Sequence, residues 1–281
     1  WGVVTGGPVQ TVGEIKAVLS AHGVRPKRSL GQNFLIDESK VAALVERSGV
    51  GEGDLVLEVG PGTGVLTDAL VARGAAVVAS ELDDVLCGVI GERYGDAVTV
   101  VAGDCLERKG ELSARVSAAL DGAGARDRGF RLVANLPYQA ASGLMVALAW
   151  DERCAGQYVT IQRDVARRVR AVPGTRDYSE LTVMVRALCE AERIATLPPG
   201  CFWPAPRVVS EMLAIEPVGD RGGRPDRASL ERVSRKLFTQ RRKRVRAVLG
   251  DLDWPLEVSG EMRADEVPIE GLIALSRATG G

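Results

Sequence analysis

Between residues 55 and 134 the chain alternates short apolar runs with stretches of helical periodicity. Residues 55–59, 76–80, 98–101 and 130–134 read as strands, and 65–73 and 84–94 read as helices. Strands apolar on both faces with helices between them predict a parallel sheet covered on both sides. Upstream, residues 11–22 read as a short amphipathic helix, and Asp37 is placed to cap a helix over 38–48. Residues 121–129, with three glycines, read as a surface loop. The Pro- and Gly-containing stretch 217–225 reads as a linker. A basic helical stretch over 227–249 and a short tail follow it. The pattern predicts an α/β chain: a doubly wound Rossmann-like sheet in residues 1–217 and a small helical domain in 218–281.

Composition narrows the function classes. The 281 residues are 46% hydrophobic and 26% charged, an ordinary globular balance. No apolar run approaches the roughly 18 residues that a membrane helix needs. The first eight residues lack a basic region followed by an apolar core, so no secretory leader is expected. The five cysteines (Cys87, Cys105, Cys154, Cys189 and Cys201) are scattered, with no Cys-x-x-Cys pair. That usage fits reduced thiols in a cytoplasmic protein and argues against a zinc site. His22 is the single histidine, which removes most histidine-dependent nucleophilic mechanisms. The net charge is −1, so any nucleic-acid contact must rest on local charge.

Candidate chemistry lies at the strand ends. Glu58-Val59-Gly60-Pro61-Gly62-Thr63-Gly64 follows the first strand of the alternation and opens a helix, where glycines let backbone amides approach a ligand closely. By itself this G-x-G-x-G suits a dinucleotide as well as other adenosyl ligands. The next strand ends at Glu81, placed to accept from both hydroxyls of a ribose. A third ends at Gly103-Asp104, whose carboxylate can accept from an adenine amine. Ligands of parallel α/β sheets bind at these carboxyl ends. The three features together suit an adenosyl ligand and leave S-adenosylmethionine and a nicotinamide dinucleotide both open.

The fourth strand ends in Asn135-Leu136-Pro137-Tyr138. An exocyclic adenine amine is a poor nucleophile because its lone pair is delocalised into the ring. It needs acceptors rather than a strong base. The Asn135 side-chain oxygen and the Leu136 carbonyl are such acceptors, Pro137 stiffens the turn that aims them, and Tyr138 can stack on an extruded base.

With these motifs, and from about residue 24 to 250, the sequence resembles the ribosomal RNA adenine-N6 dimethyltransferase family. The shared motifs include Ser29-Leu30-Gly31-Gln32-Asn33-Phe34-Leu35 and residues 56–67. They continue through Gln162-Arg163-Asp164-Val165-Ala166-Arg167-Arg168, residues 202–210 and Leu237-Phe238-Thr239-Gln240-Arg241-Arg242-Lys243. The resemblance implies a class I methyltransferase sheet with S-adenosyl-L-methionine as cofactor. It implies cofactor contacts at Asn33, Leu35, Gly60, Gly62, Glu81, Asp104 and Asn135, and a Phe202 that packs on the target base opposite Tyr138. The match is to the bacterial small-subunit type, which dimethylates two adjacent adenosines of 16S RNA and serves in subunit maturation. Departures occur at Gln139-Ala140-Ala141-Ser142, at Tyr178-Ser179-Glu180-Leu181-Thr182 and after Asp104.

The RNA surface is expected from charge. Residues 221–246 hold eleven Arg and Lys residues against Asp226 and Glu231, a segment net of +9 in a chain of net −1. Such segregation is the footprint of a phosphate-binding surface. Arg241, Arg242 and Lys243 are its candidate contacts. Arg163, Arg167 and Arg168 form a second cluster, with Arg170 beside them. The expected partner is ribosomal RNA within the small ribosomal subunit, bound by a monomer without metal or membrane. Three alternatives stand beside it: a large-subunit (23S) methyltransferase of the macrolide-resistance kind, a binding-only assembly factor and, more distantly, a nicotinamide-dependent oxidoreductase.

Overall fold

The structure, a computed structural model, describes residues 10–27, 31–108, 110–219 and 223–279. The opening eight residues, Arg28–Leu30 of the basic loop and Arg221 lie outside the described residues.

In chain order the elements are α1 (Val12–Ala21), β1 (Phe34–Leu35), α2 (Glu38–Ser48), β2 (Leu55–Val59), α3 (Val65–Val71), β3 (Ala76–Glu81), α4 (Asp84–Tyr94) and β4 (Val98–Ala102). Next come β5 (Leu106–Arg108), β6 (Glu111–Leu112), α5 (Ala114–Gly122), α6 (Ala125–Arg128), β7 (Phe130–Asn135), α7 (Tyr138–Ala149), β8 (Cys154–Gln162) and α8 (Arg163–Val169). The chain continues through α9 (Glu180–Arg186), β9 (Cys189–Leu197), β10 (Phe202–Trp203), β11 (Ser210–Pro217), α10 (Arg227–Thr239), α11 (Val245–Leu249) and α12 (Ile269–Ala278). Local chemistry sets the boundaries. Thr11 opens α1 with a capping box to Glu14. The Asp37 carboxylate accepts from Lys40 N at the start of α2, and Gly49, at φ 63°, ends it.

The main sheet runs β4-β3-β2-β7-β8-β11-β9. Strands β4, β3, β2, β7 and β8 are mutually parallel. Beyond them β11 pairs antiparallel with β8, so the sheet is mixed rather than wholly parallel. The strand order reverses between β2 and β7, which opens a crevice at their carboxyl ends.

By internal contacts the chain forms two compact units, Trp1–Arg163 with Glu192–Ile215, and Asp164–Ala191 with Glu216–Gly281. The first holds the sheet, and its core is apolar: Leu44, Val56, Leu70, Ala79 and Ile90 are all fully buried. In the second, α10 turns Leu230, Val233, Ser234 and Leu237 inward, at the i, i+3, i+4, i+7 spacing of a helix packed on one face. That face meets α12 and α9. The Tyr178 ring is buried beside Phe238, and its hydroxyl donates to the Val267 carbonyl at 3.0 Å.

Three local expectations change. Residues 121–129 are not a surface loop: they finish α5 and form α6, with Ala125 buried. Gly124 and Gly129, both at positive φ, act there as helix punctuation. The basic stretch 227–249 is not one helix. It ends at Thr239 and restarts as α11 at Val245, where the first-turn amides of Val245 and Arg246 bond the carbonyls of Met262 and Gly260. The short tail contains α12, whose buried face packs on α10.

Candidate active site

The β2–α3 turn is built on three glycines at positive φ, each closed to a side chain by its neighbour. A Cβ on Gly60 would sit 3.1 Å from Pro137 Cγ, one on Gly62 2.7 Å from Phe34 Cε1, and one on Gly64 2.2 Å from the Tyr94 hydroxyl. The glycines therefore serve packing as well as ligand approach. Behind the turn, the Tyr94 hydroxyl shares its one proton between the Gly64 carbonyl at 3.0 Å and Asp68 at 2.7 Å. Gln10 and Arg93 both donate to the Thr63 carbonyl and to Asp68. This brace went unseen in the sequence because nothing in it has a motif's spacing.

Glu81, at the end of β3, is buried. Its carboxylate accepts from Gly62 N at 3.2 Å, Leu82 N at 2.8 Å and Asp83 N at 3.0 Å. Burial raises its pKa, against those three amide bonds. Next to it Asp83 caps α4. Burial opposes its ionisation, but the Lys27 ammonium at 2.7 Å and the backbone amides that open α4 together hold the carboxyl below the usual range. Asp104 is exposed, with Oδ1 accepting from Leu106 N at 3.0 Å.

At the end of β7 the Asn135 amide nitrogen donates to the Asn33 carbonyl at 2.7 Å, while the Asn33 side chain donates to the Gly31 carbonyl at 2.9 Å. Tying the NH₂ end of Asn135 to a carbonyl fixes its flip and leaves Oδ1 as the end that can accept from an amine. The Tyr138 ring is half-buried and its hydroxyl shares a 3.1 Å hydrogen bond with Ser210. Burial raises its pKa, so the hydroxyl stays neutral.

These features converge on one cavity of about 240 Å³. Of the expected site residues, Asn33, Leu35, Gly60, Gly62, Glu81, Asp104, Asn135 and Pro137 line it, whereas Leu136, Tyr138 and Phe202 do not. Phe202 is only 3% exposed and is a core residue, paired with Leu35 across the β1–β10 ribbon. Glu58, Ser80, Cys105 and Gln139 also line the cavity, although none of them is among the site residues expected from the sequence. The position of Glu58, just before the glycine turn, was the available signal. Burial pushes the Cys105 thiol up to about 12, so it is not a nucleophile. The buried Ser80 hydroxyl has no protein partner among the described residues.

The basic candidates are placed unevenly. Arg167 and Arg168 are exposed on α8, and Arg163 is half-buried where that helix begins. Arg242 and Lys243 are exposed on the turn after α10. Arg241 instead donates to the carbonyls of Arg176 at 2.8 Å and Thr175 at 2.9 Å and meets Asp265 at 3.3 Å. Among the described residues no group of three or more His, Cys, Asp or Glu could hold a metal, and no helix is long and apolar enough to cross a membrane.

Residues 23–276 match the family model described as ribosomal RNA adenine dimethylase. A ribosomal RNA small subunit methyltransferase A of Rhodospirillum rubrum is 34% identical, over 94% of this chain and 91% of its own. A probable ribosomal RNA small subunit methyltransferase A of Methanothermobacter thermautotrophicus is 39% identical, over 82% of this chain and 77% of its own. A crystal structure of a dimethyladenosine transferase from Plasmodium falciparum shares the fold, with a TM-score of 0.67 at 20% identity, over 86% of this chain and 95% of that one. The sheet, the cavity at its switch point and the likeness along nearly the whole length agree: the chain is a methyltransferase and belongs to the ribosomal RNA adenine dimethylase family.

Proposed function

We propose that the protein dimethylates the N6 amine of two adjacent adenosines in small-subunit (16S) ribosomal RNA, using S-adenosyl-L-methionine, and acts in the cytoplasm during subunit maturation. The carrying observation is Asn135, whose amide nitrogen is held by Asn33 so that its oxygen is the acceptor end beside the cavity. The names of the curated relatives support the small subunit as the target.

The cavity's donor set fits the cofactor. Glu81, oriented by three backbone amides, is a fixed acceptor for ribose hydroxyls, and Asp104 at the rim is an acceptor for the adenine amine. The Ser80 hydroxyl there is a buried polar atom lacking a protein partner among the described residues. When bound, S-adenosylmethionine supplies an electrophilic methyl group on a cationic sulfur. The chain's own work is positioning. Asn135 Oδ1 and the Leu136 carbonyl accept from the two N–H groups of the adenine and favour a nitrogen whose lone pair is turned out of the ring. Pro137, packed on Gly60, keeps this turn fixed against the glycine loop. Tyr138, pinned through Ser210, offers its ring face to the base. Phe202 acts from the core, holding β10 on β1.

RNA docking falls to exposed cations of residues 218–281 and of α8, with Arg167, Arg168, Arg242 and Lys243 contacting phosphate. Arg163 lies at the start of the same helix, and Arg241 holds the turn that presents its neighbours. The protein works as a monomer without metal. The test is transfer of labelled methyl groups to separated, unmethylated small and large subunits, followed by nucleoside analysis. Dimethyladenine in the small subunit alone is expected. Label confined to the large subunit overturns the assignment, and subunit binding without transfer turns it to a binding-only factor.

A further inference from the structure

Glu58 has no part in holding the ribose or the adenine amine. It is the penultimate residue of β2, two before Gly60, is only 1% exposed, and yet lines the cavity. Among the described residues its one side-chain partner is the Thr67 hydroxyl on α3, which donates to Oε2 at 2.7 Å. The charged and titratable groups that face it are Asp68 on α3, Glu81 on β3 and Tyr94 on α4. Two are carboxyls and the third is a phenol, so none offers positive charge. The nearby guanidinium of Arg93 is spent on Asp68 at 2.7 Å and on the Thr63 carbonyl. Among the described residues no lysine or arginine reaches Glu58. Burial, reinforced by Asp68 and Glu81 against the Thr67 bond, pushes its carboxyl up to about 8.

A carboxyl placed in a cavity wall with acids for neighbours and no cation is built to respond to one. We propose that Glu58 is the cationic-ligand sensor of this cavity: it carries a proton in the ligand-free protein and gives it up when a positively charged ligand binds beside it. This rests on the reading of the cavity as an S-adenosylmethionine site, since that molecule brings a sulfonium and an ammonium group. The O–H bond of the Glu58 carboxyl breaks, its electron pair stays on the carboxylate, and the proton passes to buffer while the ligand's charge takes its place. Glu58 thereby couples affinity for the charged methyl donor to pH, and it favours release of the product S-adenosylhomocysteine, which lacks the sulfonium charge.

The experiment is titration calorimetry of the full chain at pH 6.5, repeated in buffers of different ionisation heat, which counts protons released on binding. At that pH the ligand's own α-amino group, with a pKa of about 7.7–8.0, keeps its proton. S-adenosylmethionine should release about one proton per molecule bound, and S-adenosylhomocysteine clearly less. Glu58→Gln, which mimics the protonated side chain, should bind S-adenosylmethionine without that release. Binding of S-adenosylmethionine to the unaltered protein with no proton released overturns the inference and leaves the functional reading standing. Equal release with both ligands, or release that persists in Glu58→Gln, overturns it as well. No binding of S-adenosylmethionine removes the functional reading and this inference together. The measurement on the unaltered chain needs no variant, so an unstable Glu58→Gln does not shield the idea.

Discussion

A carboxyl's surroundings decide whether it supports or strains the fold, and Glu58 makes that measurable through pH. Unfolded, it titrates near 4.5, whereas in the folded chain burial pushes it up to about 8. Between those values the folded state holds a proton that the unfolded state has lost. The stability this contributes is full below pH 4.5 and is lost as pH rises through about 8. Glu58→Gln lacks that dependence. Relative to the unaltered chain, it should gain on the order of a few kcal/mol at pH 8 and little or nothing at pH 4.5. Urea melts at both values measure this, and parallel pH profiles for the two proteins would refute it. Glu81 is different: three backbone amides oppose the burial that raises its pKa. At this scale the sequence showed the acids at strand ends but not their states, because desolvation depends on what packs around each group.

Among the elements, the entrance to α3 shows how a motif carries two loads. Gly49 and Gly64 both have positive φ, but a Cβ on Gly49 meets nothing, whereas one on Gly64 runs into the Tyr94 hydroxyl. Gly49→Ala should therefore cost about 1 kcal/mol from backbone strain alone. Gly64→Ala should cost roughly 1–3 kcal/mol more, because Tyr94 must leave Asp68 and the Gly64 carbonyl. Thermal melts compare them directly, and equal losses would mean that the brace behind the loop holds nothing. The basic turn divides in the same manner. Arg241→Ala should lower the melting temperature by freeing the carbonyls of Thr175 and Arg176. Arg242→Ala and Lys243→Ala should leave it in place and each remove about 0.7–0.9 from the log–log salt slope of RNA binding. An Arg241→Ala protein of normal stability would return that residue to the phosphate-binding set. Helix and strand periods were readable for 38–48, 55–59, 76–80, 84–94 and 98–101, where pattern and capping agree. They were not readable for 121–129, where glycines end helices rather than fill a loop. Nor were they readable at 245–246, where the amides of Val245 and Arg246 bond the carbonyls of Met262 and Gly260, later in the chain.

At the scale of the whole molecule, chemistry and charge are written into different segments. The candidate catalytic turn, 135–138, lies in the sheet-bearing unit, and the densest basic run belongs to the other. The candidate cavity was legible in advance because the carboxyl ends of β2, β3, β4 and β7 carry the glycine turn, Glu81, Asp104 and Asn135 into its wall. The brace of Gln10, Asp68, Arg93 and Tyr94 was not, since it exists only once α4 packs behind the turn. A separation of segments predicts a separation of functions, and Asn135 tests it. Asn135→Ala keeps the backbone of β7, whose pairing with β2 and β8 does not use that side chain. It should fold normally and still bind the ribosomal subunit through the basic segment. Methyl transfer should nevertheless fall roughly 10²–10³-fold, the usual consequence of removing one preorganised acceptor. Cofactor affinity should change much less. Single-turnover methylation at saturating cofactor, run beside a subunit-binding assay, measures both quantities. Turnover near that of the unaltered protein would break the proposed mechanism. Loss of docking together with turnover would make Asn135 a structural residue, tied to Asn33 for the sake of the fold rather than for the adenine amine.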